Sequence, residues 1–177
     1  MRLFTAITIP DDIKAKLEEL FIPIEGLKWQ QKSQMHLTLR FIGEVDKRMA
    51  KTVTDELEKV KVASFRINLT RLGSFPRKGN PKVLWIGVKE NSSLNDLHAR
   101  IELACRDAGL EPDERSFKPH ITIARNKGAD EEKVRSYIEN QTVPDFESIQ
   151  VTDFLLFRSE LTANGAIHHL EKKFALK

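Results

Sequence analysis

The chain has 177 residues, of which 40% are apolar and 31% are charged. This composition is typical of a globular domain with a substantial core, and it excludes a disordered chain. The net charge of +3 and the pI near 9.0 allow an anionic partner, but they are too mild to indicate nucleic-acid binding by themselves. The single cysteine, Cys105, excludes an internal disulfide and a cysteine-based zinc site. We expect one domain over residues 1–177.

The amino-terminal apolar run from Leu3 to Ile9 is shorter than a signal peptide requires and ends at Pro10 and two aspartates. No stretch approaches the ~20 apolar residues that cross a bilayer. We therefore expect a cytoplasmic protein in a reducing compartment, without a membrane partner.

The first half of the chain alternates strands and helices. β-branched and aromatic residues predict strands, whereas apolar residues at three- and four-residue spacing predict helices. The predicted elements are a strand over Leu3–Ile9, a helix from Asp11 to Leu20, a strand over Gln34–Ile42 and a helix from the N-cap Asp46 to Val60.

The second half follows a similar plan. Between the strands Phe65–Thr70 and Val83–Val88, the segment Gly73–Pro81 reads as a basic, flexible loop that could clamp an anion. The later elements are a helix from a Ser92/Ser93 cap to Gly109, a strand over Phe117–Ala124, a helix over Asp130–Ile138, and strands over Ser148–Phe157 and Ala166–Leu176 joined at Asn164-Gly165. The order strand-helix-strand-helix thus occurs twice, which predicts an α+β fold built from a duplicated unit.

A His-apolar-Thr-apolar string lies on one strand of each half. The first is His36-Leu37-Thr38-Leu39 and the second is His120-Ile121-Thr122-Ile123. Because successive side chains of a strand point to opposite faces, each histidine shares a face with its threonine. One such string is ordinary, but random placement predicts roughly 0.3 His-x-Thr strings in this chain. The pair therefore predicts two polar strand faces that meet across a cleft.

Two imidazoles in one cleft can divide acid and base work near neutral pH. The reaction that uses such a pair naturally is in-line attack at phosphorus, in which one side loses a proton while the other side gains one. The hydroxyls of Thr38 and Thr122 could hold the nonbridging phosphate oxygens. Neither string offers a third ligand for a metal, so we expect neither a metal nor another cofactor.

Two arginines follow the motifs. Arg125 is at an odd offset from His120 and reaches the cleft only if the strand bends or ends there, as Asn126-Lys127-Gly128 suggests. Arg40 is at an even offset from His36 and could face the cleft, although solvated strand arginines are common. Of the other histidines, His98 lies in a predicted helix and looks structural, whereas His168 and His169 are adjacent on a strand and face opposite ways. Cys105 reads as a buried small apolar residue.

The residues around both motifs resemble a known family. The matching segments are Arg2-Leu3-Phe4, Phe41-Ile42-Gly43-Glu44, Val83-Leu84-Trp85-Ile86-Gly87-Val88 and Phe117-Lys118-Pro119-His120. With the paired motifs, they make the chain similar over its whole length to the RNA 2′,3′-cyclic phosphodiesterases, also called the 2′-5′ RNA ligase family, of the two-histidine phosphoesterase superfamily.

The resemblance implies a bilobal fold with two antiparallel sheets, helices outside and a central cleft lined by the motif strands. It implies hydrolysis of an RNA 2′,3′-cyclic phosphate to a 2′-phosphomonoester. His36 would be the proton donor to the 3′ oxygen and His120 the proton acceptor that activates water. Thr38 and Thr122 would bind phosphate, and Arg125 matches the family's arginine after the second motif.

Several alternatives remain open at this stage. The same cleft could hold an RNA end without turnover, or the substrate could be a small cyclic nucleotide. The family is also associated with joining tRNA halves through a 2′-5′ linkage, and no nucleotide-dependent ligase motif is present, which favours hydrolysis. We expect an RNA partner with a 2′,3′-cyclic phosphate end and a monomeric enzyme.

Overall fold

The structure is a computed structural model that describes residues 1–77, 79–163 and 165–177. Of Arg77, it describes only the backbone. Ten strands, four α-helices and one short 3₁₀ helix at Lys32–Gln34 form within these residues. The strands are β1 (Arg2–Thr8), β2 (Leu27–Trp29), β3 (His36–Glu44), β4 (Phe65–Ile67), β5 (Leu69–Arg77), β6 (Asn80–Val88), β7 (His120–Asn126), β8 (Ile149–Val151), β9 (Asp153–Thr162) and β10 (Gly165–Ala175). The helices are α1 (Asp11–Glu18), α2 (Lys47–Leu57), α3 (Ser92–Asp107) and α4 (Glu131–Asn140).

Most strands belong to one large antiparallel sheet. Its order is β10-β9-β1-β3-β7-β6-β5, and β2 pairs with the carboxyl end of β7. The two motif strands β3 and β7 are neighbours at its centre, where one residue pair, Leu37 and Ile121, joins the halves. A second sheet contains only β4 and β8. The narrow junction lets the motif strands meet while each half keeps its own ladder.

The element order confirms the α+β class. The succession β1-α1-β3-α2 in the first half recurs as β6-α3-β7-α4 in the second. In both, the two strands of the unit pair with each other in antiparallel fashion. Leu37 and Ile121 are fully buried in the same cluster as the apolar residues of all four helices. The helices therefore cover one face of the large sheet, and the other face carries the polar motif residues.

The helix ends follow capping chemistry. Asp46 and Asp130 accept hydrogen bonds from the third backbone N–H of α2 and α4, at 2.7 and 2.9 Å. The predicted Ser92/Ser93 cap of α3 is wrong, because the side chain of Asn91 accepts from Leu94 N at 2.9 Å. Gly109, at φ +94°, ends α3 as predicted.

The segment Gly73–Pro81 is largely a β-hairpin formed by β5 and β6, rather than the predicted loop. Pro76 is tolerated because β5 is the sheet edge, and Pro81 of β6 lies before Val83, where the pairing of β6 with β7 begins, so neither missing N–H breaks an interior ladder. Lys78, part of the predicted basic loop, lies outside the described residues.

Other boundaries also differ from expectation, and the predicted strand Phe65–Thr70 is divided between β4 and β5, which belong to different sheets. The predicted strand Ser148–Phe157 is divided between β8 and β9, which belong to different sheets. The second motif strand begins at His120 rather than Phe117, and β2 had no predicted counterpart. The predicted hairpin of β9 and β10 is confirmed by their pairing, although Asn164 of its turn lies outside the described residues. Over the described part of the chain, no helix combines the length and apolarity that a bilayer crossing needs.

Candidate active site

The two motifs have the same burial pattern. In His36–Leu39 and in His120–Ile123, the histidine and threonine are half-buried, and the apolar residues are at most 3% exposed. This alternation is the one that the sequence predicts. Both histidines and both threonines therefore lie on the open face of the sheet, opposite the helices.

The central pairing sets how the motifs face each other. Leu37 pairs with Ile121, and the strands run antiparallel. Stepping one residue in each direction from this pair brings His36 next to Thr122, and the second histidine next to the first threonine. Each imidazole therefore has the hydroxyl of the other motif as its cross-strand neighbour, and the two motifs form one site.

A β-bulge explains how Arg125 joins this face. Leu84 pairs with Ala124 but Trp85 pairs with Thr122, so β7 holds one extra residue, Ile123, at this point. An extra residue reverses the alternation of everything that follows it. Arg125 consequently returns to the face of Thr122 and is exposed, although its odd offset predicts the opposite for a regular strand.

The first motif strand has a bulge at the equivalent position. Thr5 pairs with Arg40 but Ala6 pairs with Thr38, which leaves Leu39 as the extra residue of β3. Phe41 therefore occupies the position in β3 that Arg125 occupies in β7, and it is 46% exposed.

The prediction that Arg40 could face the cleft is wrong, because the bulge turns this residue inward. Its side chain is 7% exposed and forms an ion pair with Glu102 at 2.5 Å, with Asp113 at 3.6 Å from the same guanidinium. It also donates to the carbonyl of Glu111 at 2.7 Å. Arg40 thus fastens the first motif strand to α3 and to the segment that leads into the second motif.

His120 is oriented by the backbone. Its Nδ1 lies 2.6 Å from the carbonyl oxygen of Lys118, which can only accept, so Nδ1 carries the hydrogen. The neutral ring then leaves Nε2 free to take a proton. The rings of Phe75 and Trp85 lie 4.7 and 6.3 Å from the imidazole, and burial lowers the pKa of His120. His120 is therefore a neutral imidazole prepared to act as a base.

His36 lies among rings. Phe4 is 5.0 Å away, and His168 of β10 packs edge-on at 5.1 Å. Burial first, and then the neighbouring His168, lower the pKa of His36 to about 3, against a hydrogen bond with the Gln34 backbone that raises it. At neutral pH the free protein therefore holds His36 uncharged. A bound anion would favour the protonated form and raise this pKa.

One cationic side chain lies close to both histidines. The Arg125 guanidinium lowers the pKa of both His36 and His120, which places it within electrostatic reach of both rings. Across the described ranges, no group of three histidine, cysteine or carboxylate side chains could hold a metal ion. The arrangement of two imidazoles, two hydroxyls and one guanidinium is suited to binding a phosphate diester and moving protons at it.

The sequence did not predict the aromatic residues around the two histidines or the contact of His168 with His36. His168 looks like one of two adjacent strand histidines until β10 is placed beside β9, where its ring reaches Phe4 and His36. No local pattern reports such a contact. By contrast, two expectations agree with the structure: His98 stacks on Phe117 at 3.9 Å, and burial raises the pKa of the Cys105 thiol to about 11.

These features define a class of two-motif phosphoesterase, and the comparison with known proteins identifies the family. The model of the 2′-5′ RNA ligase superfamily matches residues 9–162. The chain belongs to this family. It is 34% identical to an RNA 2′,3′-cyclic phosphodiesterase of Methanocaldococcus jannaschii, over 98% of this chain and 100% of that protein.

Solved structures agree with this assignment. A Thermus thermophilus protein, TT0787, superposes with a TM-score of 0.83 and 28% identity, over 99% of this chain and 98% of its own. LigT of E. coli, crystallised with 3′-AMP, gives a TM-score of 0.80 and 26% identity, over 99% of this chain and 97% of its own. The resemblance inferred from the motifs and the fold it implied are thereby confirmed.

Proposed function

We propose that this protein hydrolyses RNA 2′,3′-cyclic phosphate ends to 2′-phosphomonoesters without a metal. The observation that carries the proposal is the antiparallel meeting of β3 and β7, which puts His36, His120 and their threonines on one open face. Relatives named RNA 2′,3′-cyclic phosphodiesterase, which match this chain over nearly their whole length, support the proposal.

The two histidines divide the proton transfers. His120 takes a proton from water through Nε2, and the resulting hydroxide oxygen bonds to phosphorus. The bond from phosphorus to the 3′ oxygen breaks on the opposite side, and His36 gives its proton to that oxygen. The 2′ oxygen keeps its bond to phosphorus, so the product is a 2′-phosphate. One proton leaves water and one enters the leaving group, so the net charge of the two histidines is unchanged. Exchange of protons with solvent then returns each histidine to its starting protonation state.

The other side chains hold the phosphate. Thr38 and Thr122 donate their hydroxyl hydrogens to the nonbridging oxygens, one from each strand. Arg125 supplies positive charge where negative charge accumulates in the transition state, in a site with partial exclusion of water. It also attracts the anionic substrate, whose charge raises the pKa of His36 and lets it become the acid.

The proposal also covers the domain organisation of the chain. Residues 1–177 form one domain of two pseudo-symmetric lobes, each contributing one motif strand, and the recurring order of strands and helices supports this division. A monomer, a cytoplasmic location and tRNA halves as the RNA are the accompanying predictions. Gel filtration and isolation of RNA bound to a His36→Ala variant test the first and the last of them.

The decisive experiment is incubation of the purified chain, in EDTA, with a short RNA that ends in a 2′,3′-cyclic phosphate. We expect a 2′-phosphate product whose formation does not depend on divalent ions. Separate reactions with a cyclic mononucleotide measure how much the remaining RNA contributes to KM.

The outcomes separate the alternatives. Loss of turnover in EDTA would contradict the two-imidazole mechanism. Binding of the RNA without any product from pH 5 to 9 would favour an RNA-end-binding module. Equal kcat/KM for the mononucleotide and the RNA would assign the substrate to small cyclic nucleotides instead.

A further inference from the structure

His168 belongs to the active site although it lies in neither motif. The centroid of its ring lies 5.1 Å from that of His36 and 4.9 Å from that of Phe4, both in edge-on contacts, and the ring of Phe157 is 6.3 Å away. The residue is half-buried, so part of its imidazole remains accessible beside the first motif. The rings that border His120 are a phenylalanine and a tryptophan. The third imidazole therefore belongs to the side of His36.

The β9–β10 hairpin is held in this place by Gln34. The side-chain Nε2 of Gln34 donates a hydrogen bond to the carbonyl oxygen of Ala166 at 3.1 Å. Gly165, the first residue of β10, has a φ of +128°, and a Cβ there would lie 3.3 Å from the same nitrogen. Gln34 also forms the backbone hydrogen bond with His36. One residue thus ties β10 to the amino end of β3, which sets His168 beside the first motif.

The ring nitrogens of His168 are free to bind a ligand. His120 and His36 each have a backbone partner, and His169 pairs with Glu160. Within the described residues, His168 makes ring contacts but its imidazole has no hydrogen-bond partner. Burial, and then the adjacent His169, lower its pKa, so at neutral pH the ring is uncharged, with one N–H donor and one acceptor. Because a half-buried polar group without a partner is costly, an acceptor brought by the substrate would be bound favourably.

The proposed reaction brings a phosphate to this side. In-line displacement sets the leaving 3′ oxygen near His36, and the ribose that carries this oxygen follows it. The 5′ carbon of the same ribose bears the phosphodiester that joins the terminal nucleotide to the rest of the RNA. That phosphodiester therefore lies one sugar away from His36, on the side of the site to which His168 belongs.

The surface around His168 suits a sugar and a base. Leu170 pairs with Phe157, and Phe157 pairs with Phe4, so all three lie on the face that carries the motifs. Leu170 is 58% exposed, and Phe41, whose ring lies 6.1 Å from that of Phe4, is 46% exposed. Aromatic side chains of this kind support bases by stacking. His168 adds a hydrogen-bond donor to this apolar surface.

We propose that His168 binds the phosphodiester on the 5′ side of the cyclic-phosphate nucleotide, and that this contact makes RNA a better substrate than a cyclic mononucleotide. The inference rests on the proposed function of the two histidines and names the group by which their substrate is selected. The imidazole N–H of His168 donates to a nonbridging oxygen of that phosphodiester. His168 therefore raises kcat/KM for RNA without taking part in either proton transfer.

The experiment compares three substrates in EDTA at one salt concentration. They are a 2′,3′-cyclic mononucleotide with a 5′-hydroxyl, a dinucleotide that ends in the same cyclic phosphate, and that dinucleotide with a methylphosphonate between its nucleosides. The methylphosphonate keeps both nucleosides but replaces one nonbridging oxygen by methyl and removes the charge. We expect kcat/KM for the phosphodiester to exceed that for the methylphosphonate by about tenfold or more, the effect of one hydrogen bond to a charged group.

Variants of His168 test the residue itself. His168→Phe keeps a ring against Phe4 and His36 but has no donor, so the difference between the two dinucleotides should largely vanish while kcat/KM for the mononucleotide stays unchanged. His168→Gln keeps an N–H and should retain more of the difference. His169→Phe removes the adjacent imidazole, which pairs with Glu160, and is the matched control that should behave like the native chain. Circular dichroism checks that each variant is folded.

The inference and the proposed function fail in different ways. A native chain that hydrolyses none of the three substrates contradicts the proposed function. A native chain that hydrolyses both dinucleotides equally well contradicts the inference alone, whatever a variant does to folding.

The variants can also overturn the inference. An equal loss on all three substrates in His168→Phe would mean that His168 positions His36 and does not bind RNA. An undiminished difference between the dinucleotides in that variant would assign the phosphodiester to another side chain. Equal differences in His168→Phe and His168→Gln would mean that the N–H donor is not what recognises the charge.

Discussion

The surroundings of His36 and of His120 differ although their motifs are alike. Both histidines begin a strand that carries a bulge three residues later, and each contacts the backbone of the residue two positions before it. His36, however, packs against Phe4 and His168, whereas His120 borders an open cavity with cations at its edge.

The difference shows how a duplicated unit becomes an asymmetric site. The repeated motif supplies two equivalent imidazoles, and the neighbouring strands make their surroundings unequal. The position two residues after each bulge shows the same principle, since it holds Phe41 on one side and Arg125 on the other. A ring there can support a ribose or base, while a guanidinium can neutralise a phosphate.

The largest expected effect comes from removing the histidines. His36→Ala and His120→Ala should each lower kcat by about 10²–10⁴-fold with little change in RNA binding. His169→Ala, whose imidazole pairs with Glu160 instead, is the control. Rapid-quench assays with the cyclic-phosphate RNA measure the loss.

A substrate with a better leaving group separates the acid from the base. A nitrophenyl ester of a 3′-deoxynucleoside 2′-phosphate keeps the 2′ oxygen on phosphorus and puts nitrophenolate, which leaves without a proton, in the place of the 3′ oxygen. The loss in His36→Ala should therefore shrink on this ester, while the loss in His120→Ala should persist. Equal losses on both substrates would mean that the two sides are not divided into acid and base.

The next largest effect concerns Arg125, two residues after the bulge in β7. Arg125→Ala should lower kcat/KM by about 10–100-fold, the amount expected when a hydrogen bond to a charged group is lost. Lys127→Ala removes an exposed cation two residues later and should change little. If both variants lose activity equally, the effect of Arg125→Ala comes from general electrostatic attraction of RNA and not from a contact with the phosphate.

The pH profile sharpens the comparison further. An acid must be protonated and a base must be neutral, and the pKa of His36 is lowered to about 3 while that of His120 lies below its ordinary value. The pKa values that define both limbs of the kcat/KM profile should therefore lie below 6.5. Above pH 6.5, kcat/KM should decline by about tenfold per pH unit.

The profile of kcat at saturating substrate should lie at higher pH, because the bound phosphate raises both pKa values. The titratable and charged neighbours of His36 that enter this balance are His168, His120 and Arg125. A kcat/KM that rises or stays level from pH 7 to 8 contradicts the assignment. The two values belong to the coupled pair, so the variants above, not the profile, assign them to residues.

The smallest effect tests the glycine beneath Trp85. Gly73→Ala should displace the indole, destabilise the fold by about 1–3 kcal/mol and reduce activity severalfold through the ring contact with His120. Gly43→Ala is the control, because its φ of +87° makes alanine strained while nothing lies within 4 Å of the added Cβ. Urea unfolding and kcat measurements on both variants separate strain from disturbance of the site.

The sequence by itself predicted most of the fold and the core of the site. Period-two alternation around His36 and His120 put each histidine beside its threonine, and helical spacing located all four helices. These features are local, since side-chain direction follows from backbone geometry within a few residues. Resemblance in the same segments identified the family.

Only the tertiary structure decided the rest. The bulges that turn Arg125 outward and Arg40 inward appear in the pairing with β6 and β1, because register depends on the partner strand and not on the strand alone. The contact of His168 with His36 joins residues far apart in the chain through β9 and β1. The sequence thus determined which groups are proposed for the chemistry, and the packing of distant strands decided how each is oriented and how strongly it holds its proton.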